Sequence, residues 1–306
     1  MNIPDEPVAI VLSGGGNRGA LQVGALQALF EHGIRPDILI GTSAGAMNAA
    51  FTAVDPSPTG VERLIDLWRQ AGAADLFPGN ILTQAFRFLL GKDSLYPSDN
   101  LRRFVEEHVP PGVERFGDIT EVKLLLTAGD ITTCTLYLFG EDPYALLVDG
   151  VIASAALPGV FPPLRMNGVA LVDGATVANV PVTIAAQAGA RTIYAVSLGY
   201  DGTPRLPARG ALGVALQSID ILMFQLLIRD LQDVNADPDT VLHYIQINDF
   251  QGLPIDDFSH VDEMIRAGYE VTRAYLENPR EPTEPLQIEW PVPAALPPRG
   301  ARRWVR

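Results

Sequence analysis

The 306-residue sequence predicts an α/β sandwich of three layers, α/β/α, around a mostly parallel central sheet. Three observations lead there. Short, β-branched-rich apolar runs alternate with helical patterns along much of the chain. The first two runs end in clusters of glycine and other very small residues, as strands that turn sharply into helices do. Hydrophobic residues make up 47% of the chain and charged ones 19%, and a chain of this length buries roughly three quarters of its unfolded surface.

The elements follow in order. "VAIVLS" (8–13) reads as a buried parallel strand, and "ALQVGALQALFEHG" as a helix with Val23, Leu26 and Phe30 on one face and Gly33 just past its end. "DILIG" (37–41) is a second strand and "AGAMNAAFTAV" a second helix. Further strands are expected at "VKLLLTAGD" (122–130), "TLYLFG" (135–140), "VALVD" (169–173), "TIYAVSLG" (192–199) and "HYIQI" (243–247), with a helix at "VTIAAQAG" (182–189). Residues 56–118 interrupt this rhythm, and with their apolar cluster Phe86, Phe88, Leu89 and Leu90 they read either as a cap insertion or acyl pocket over one end of the sheet or as ordinary core packing. The apolar stretch 211–228 is broken by Gln217, Ser218, Asp220 and Gln225, so a buried or amphipathic helix is expected there and not a membrane span. From Asn278 onward the chain is rich in proline and ends "PRGARRWVR", an irregular tail beyond a main domain of residues 1–277.

A net charge of −14 argues against nucleic acid as a partner. Cys134 is the single cysteine, so no intramolecular disulfide is possible. The first residues lack a basic region followed by a long apolar stretch. A cytoplasmic protein is therefore expected.

Three short motifs end strands on one side of the sheet, where open α/β folds gather their chemistry. "SGGGNRG" (13–19) joins the first strand to the first helix. Its glycines leave backbone N–H groups free to point into a cavity, and the helix N-terminus favours an anion. The same residues match a dinucleotide fingerprint through Gly14, Gly16 and Gly19. The second strand, however, ends in Gly41-Thr42-Ser43-Ala44-Gly45 and lacks the acidic residue that would hold a ribose. That stretch is a G-x-S-x-G nucleophile elbow in a strand–turn–helix setting, in which tiny neighbours let Ser43 stand exposed. The N–H of Ala44 is placed to join the glycine loop in stabilising an oxyanion. In "VALVDGATVANVP" (169–181), Asp173 ends a strand before glycine. It is either an ordinary turn aspartate or the base that a serine needs.

"GGGNRG", "GTSAG" and "DGA", in this order after strands, resemble the patatin-like phospholipases. "ASAALPGVFPP" (153–163), Asn179, Pro181 and the late helix at "DFSHVDEMIRAGYE" (257–270) extend the resemblance from about Val8 to Ala274. It implies a patatin-like sandwich and an acyl hydrolase with a Ser–Asp dyad, Ser43 and Asp173. It also implies Gly14, Gly15, Gly16 and Arg18 around the oxyanion hole, and no metal or cofactor. Arg18 otherwise reads as a helix-surface arginine. The expected substrate is a phospholipid, lysophospholipid or fatty-acyl ester, met at a transient membrane or micelle surface. The alternatives are acyl transfer through the same dyad, or a lipid- or dinucleotide-binding protein without turnover. Chain order would also suit a triad with His260, but Ser259 and Asp262 read as a helix start that places His260 in a first helical turn. His32 and His108 sit near helix ends and His243 in a strand.

Overall fold

A strand covered by helices on both faces must be apolar at every position, not every second one. The computed structural model, which describes residues 6–79, 83, 84, 87, 90–198 and 208–279, follows that rule in β1 (Val8–Leu12) and β2 (Ile38–Gly41), whereas β3 (Lys123–Asp130) carries Lys123, Thr127 and Asp130; all three strands are buried along almost their whole length. The remaining strands are β4 (Thr135–Phe139), β5 (Leu164–Met166), β6 (Val169–Asp173), β7 (Thr192–Ser197) and β8 (Val241–Gln246). β5 was not foreseen, because three residues carry no readable alternation.

The sheet runs β5-β6-β3-β2-β1-β7-β8, with β4 also paired to β3. Pairs β1–β2, β1–β7, β2–β3 and β7–β8 are parallel. β4, β5 and β6 join by antiparallel pairing. Two apolar layers sandwich the sheet. Ile10, Leu12 and Leu39 face helices α1 (Gly19–Glu31), α2 (Ala44–Val54), α3 (Pro58–Ala71), α4 (Asp99–His108) and α5 (Leu147–Ser154). Ala9, Val11, Ile38 and Ile40 face the opposite layer, which holds α6 (Ala175–Ala178), α7 (Val182–Gln187) and α8 (Ala211–Asn235). The three-layer sandwich expected from the sequence is the fold observed.

α1 ends as its sequence suggests. Gly33 takes φ +80°, its N–H reaches Phe30 O, and the N–H of Ile34 reaches Leu29 O, a two-bond cap that glycine permits. One expectation about α1 changes. Val23, Leu26 and Phe30 are buried, but so is most of the rest of the helix, because α9 (Val261–Glu277) covers its outer side. The two backbones touch through glycines: a Cβ on Gly24 would fall 1.8 Å from Ile265 O, and one on Gly268 1.8 Å from Leu21 O. The start of α9 also differs from expectation. His260 is the N-cap residue, while the Ser259 hydroxyl donates to Asp257 Oδ1.

In segment 56–118, Ser57 caps α3 by accepting from the N–H of Gly60, with proline as the first helical residue. Of the apolar cluster expected in that segment, Phe86, Phe88 and Leu89 lie outside the described residues, as does the tail from 280 to 306, and Leu90 is exposed. No helix among the described residues is long and apolar enough to cross a membrane.

Candidate active site

β3 has two edges, and the register along it explains how the site assembles. β4 occupies one edge from Leu126 to Asp130. The other edge is shared end to end. β2 runs parallel to β3 and stops at the pair Gly41–Leu126, while β6 runs antiparallel and stops at Asp173–Ala128. The carboxyl ends of β2 and β6 therefore approach each other head-on across Thr127. The motifs after these strands, at Ser43 and Asp173, meet for that reason. The Thr42 hydroxyl lies 2.7 Å from that of Thr127 and donates to Ala178 O at 2.9 Å, tying the two strand ends together.

Ser43 adopts φ 55°, ψ −121° at the N-terminus of α2, a conformation costly for a residue with a Cβ. The chain holds it there by close packing. A Cβ on Gly41 would come within 2.3 Å of Gly45 O, and one on Gly45 within 2.3 Å of Leu12 O. These contacts give the physical reason for the small residues on both sides of the serine. The N–H of Ser43 donates to Ser154 Oγ at 2.8 Å, a buried side chain at the end of α5.

Asp173 is 1% exposed. Its Oδ1 accepts from the N–H of Ala175 at 2.8 Å, and the Ser43 side chain lies beside its carboxylate on the wall of one cavity. Burial pushes its pKa up to about 6, against the opposing pull of the Ala175 N–H and the Ser43 hydroxyl. The following glycine serves close packing and not an unusual turn. Gly174 has φ −60°, but a Cβ on it would lie 2.1 Å from Thr127 Oγ1.

The glycine loop after β1 borders the same space. The N–H of Gly14 is directed to Asn179, with Oδ1 at 3.1 Å and the main-chain oxygen at 3.3 Å. Among the described residues none accepts from the N–H groups of Gly15, Gly16 or Ala44. Gly16 takes φ +60°. The loop is braced from both sides. Gln22 donates to Ser13 O, and Asn48 donates to Gln22 and accepts from the Trp68 indole. Asn17 donates to Pro254 O and Asp257 O on the facing loop.

Gly14, Gly15, Gly16, Arg18, Ser43, Ala44 and Asp173 all line one cavity of about 780 Å³. Its walls are mainly apolar, with Met47, Trp68, Phe77, Phe161, Met223 and Phe258 among them. Trp68 and Phe77 come from segment 56–118. Such a cavity has the size and character of small-molecule sites. It brings together the residues of all three motifs that the sequence marks as candidates for nucleophile, base and oxyanion hole.

No histidine lines the cavity. The Nδ1 of His260 is paired with Glu263, that of His243 with the Tyr275 hydroxyl, and those of His32 and His108 with the main-chain oxygens of Ala28 and Phe104. Sequence reasoning missed Ser154, Thr127 and Trp68. Ser154 had a readable signal, a hydroxyl inside the apolar stretch "ASAALPGVFPP". The other two acquire roles only through contacts distant in sequence.

A family model described as patatin-like phospholipase matches residues 10–186. A lysophospholipase NTE1 from Lodderomyces elongisporus is 30% identical over 209 residues, which is 66% of this chain and 13% of that protein. The chain thus spans a small part of the length of that relative. Uncharacterized protein YqhO from Bacillus subtilis is 29% identical over 211 residues, 61% of this chain and 70% of its own. Among solved structures, VipD from Legionella pneumophila superposes with a TM-score of 0.46 at 16% identity, covering 90% of this chain and 67% of that one.

Proposed function

The chain belongs to the patatin-like phospholipase family, and on that premise we propose that it hydrolyses acyl esters of phospholipids or lysophospholipids through a Ser43–Asp173 dyad. One observation carries the reading: a strained, glycine-flanked serine stands beside a buried carboxylate at the wall of an apolar cavity.

Ser43 Oγ attacks the ester carbonyl carbon while its proton passes to Asp173. With a pKa near 6, the carboxylate is ionised at neutral pH yet basic enough to accept that proton. The charge on the carbonyl oxygen is met by the N–H groups of Gly15, Gly16 and Ala44, at the N-terminus of α2. When the tetrahedral intermediate collapses, the leaving alcohol takes the proton from Asp173. Water then gives a proton to the carboxylate and attacks the acyl-enzyme, and the proton returns to Ser43 as the fatty acid leaves. Gly14 orients the loop through Asn179 instead of facing the oxyanion. The apolar walls hold the acyl chain, in keeping with a lysophospholipase-like substrate.

The test is intact-mass spectrometry after fluorophosphonate treatment, followed by a panel of p-nitrophenyl esters and lysophospholipids. A single adduct at Ser43 and release of free fatty acid are expected. An unlabelled Ser43, or labelling at another residue, would overturn the assignment.

A further inference from the structure

α8 (Ala211–Asn235) is apolar where a surface helix ought not to be. It anchors in the core only through its second half, where Leu227, Ile228, Leu231 and Val234 are buried. Its first sixteen residues, roughly 24 Å of helix, contain no buried residue among those whose side chains are described. Asp220 is the only charged residue between Ala211 and Ile228. On one side, Ile219, Met223 and Phe224 line the catalytic cavity, with Asp220 among them. On the other, Val214, Ile221 and Leu222 stand 52%, 60% and 63% exposed, and their spacing puts them on one helical face. Apolar side chains therefore continue from the cavity wall around the helix to the outside, with Asp220 on the cavity side and Ser218 and Gln225 on the outer one.

We propose that the first half of α8 seats in a neutral, zwitterionic lipid surface, so that the cavity mouth opens directly onto the lipid layer. The proposal rests on the reading that the substrate is a lipid ester. Continuity with the cavity argues for lipid as the occupant: an acyl chain passing along this helix meets mainly apolar side chains. A cluster of exposed large apolar side chains in a solvated helix marks a contact site, and a helix lying in an interface buries such a face among headgroups and acyl chains. Charge favours a neutral surface. With a net charge of −14, the chain is repelled both by a second copy of itself and by anionic lipid.

The experiment floats the full chain, carrying Ser43→Ala so that lipid is not consumed, with phosphatidylcholine vesicles. It compares this protein with the same chain bearing Ile221→Gln and Leu222→Gln, changes that keep helix-forming residues at exposed positions. The double variant is expected to bind vesicles roughly tenfold less. With Ser43 intact, it should hydrolyse a soluble p-nitrophenyl ester at the parental rate. Equal vesicle binding by both proteins would overturn the proposal. So would binding only to anionic vesicles that salt abolishes, which would assign docking to the arginines of the C-terminal tail. A parent that ignores vesicles and is dimeric by light scattering, with a monomeric variant, would identify a second copy as the occupant. Loss of vesicle binding in the variant, in a protein that never hydrolyses any ester, would keep the docking surface and refute the catalytic reading.

Discussion

Replacing Asp173 with asparagine removes a buried charge while keeping shape and hydrogen bonds, so stability and activity should move in opposite directions. The carboxyl group is 1% exposed, and its pKa is raised from 3.8 to about 6, with burial as the dominant cause. Below pH 3.8 the group is protonated in both folded and unfolded chains and contributes no pH dependence. Between 3.8 and about 6 the unfolded chain ionises first, so stability falls as pH rises. Above about 6 both states are ionised and the whole penalty is present. A difference of about two pH units corresponds to about 3 kcal/mol. Asparagine carries no such penalty. Its Oδ1 can still accept from the N–H of Ala175, and its amide can donate to Ser43 Oγ. Asp173→Asn should therefore be more stable than the parent by up to about 3 kcal/mol at pH 8, with the advantage shrinking toward zero near pH 4. Urea unfolding of both proteins at the two pH values measures it. Activity on a chromogenic ester should fall at least ~10²-fold, and the parent's kcat/KM should decline as pH drops through about 6. A variant less stable than the parent at pH 8 would refute the reasoning, because the carboxylate's hydrogen bonds would then outweigh its burial.

Other outcomes follow from the same geometry. Ser43→Ala should abolish turnover and fluorophosphonate labelling, whereas Ser43→Gly, equally inactive, should be the more stable of the two by about 1–3 kcal/mol because it relieves the positive φ; urea unfolding ranks them. Ser154→Ala deprives the N–H of Ser43 of its acceptor, and an expected loss of about 1–3 kcal/mol of stability should come with a lower kcat at unchanged KM. Gly45→Ala drives a Cβ toward Leu12 O, so strand and helix must separate; thermal melting should show marked destabilisation, and labelling of Ser43 should be lost in the fraction that still folds. His260→Ala should retain most activity, since that ring pairs with Glu263 and does not reach the cavity; a collapse equal to that of Asp173→Asn would require a triad.

The strand–helix alternation, the glycine loop, the elbow at Ser43 and the carboxylate at Asp173 were legible because each is a local event. A strand buried on both faces must be apolar throughout, and a serine at the head of a helix needs glycine two positions to either side. Those demands are written within a few residues of where they act. Other features depend on which distant segments meet. Nothing near Asp173 says that β6 runs antiparallel to β3, yet that direction brings its carboxyl end against that of β2. α1 reads as amphipathic until α9 covers it through Gly24 and Gly268, and the N–H of Gly14 reads as free until Asn179, 165 residues away, accepts from it. The raised pKa of Asp173 is of the same kind, since burial is the work of all the surrounding elements at once. Sequence encodes what backbone sterics and side-chain periodicity require locally; desolvation, strand direction and the partner of each amide arise only when the chain closes on itself.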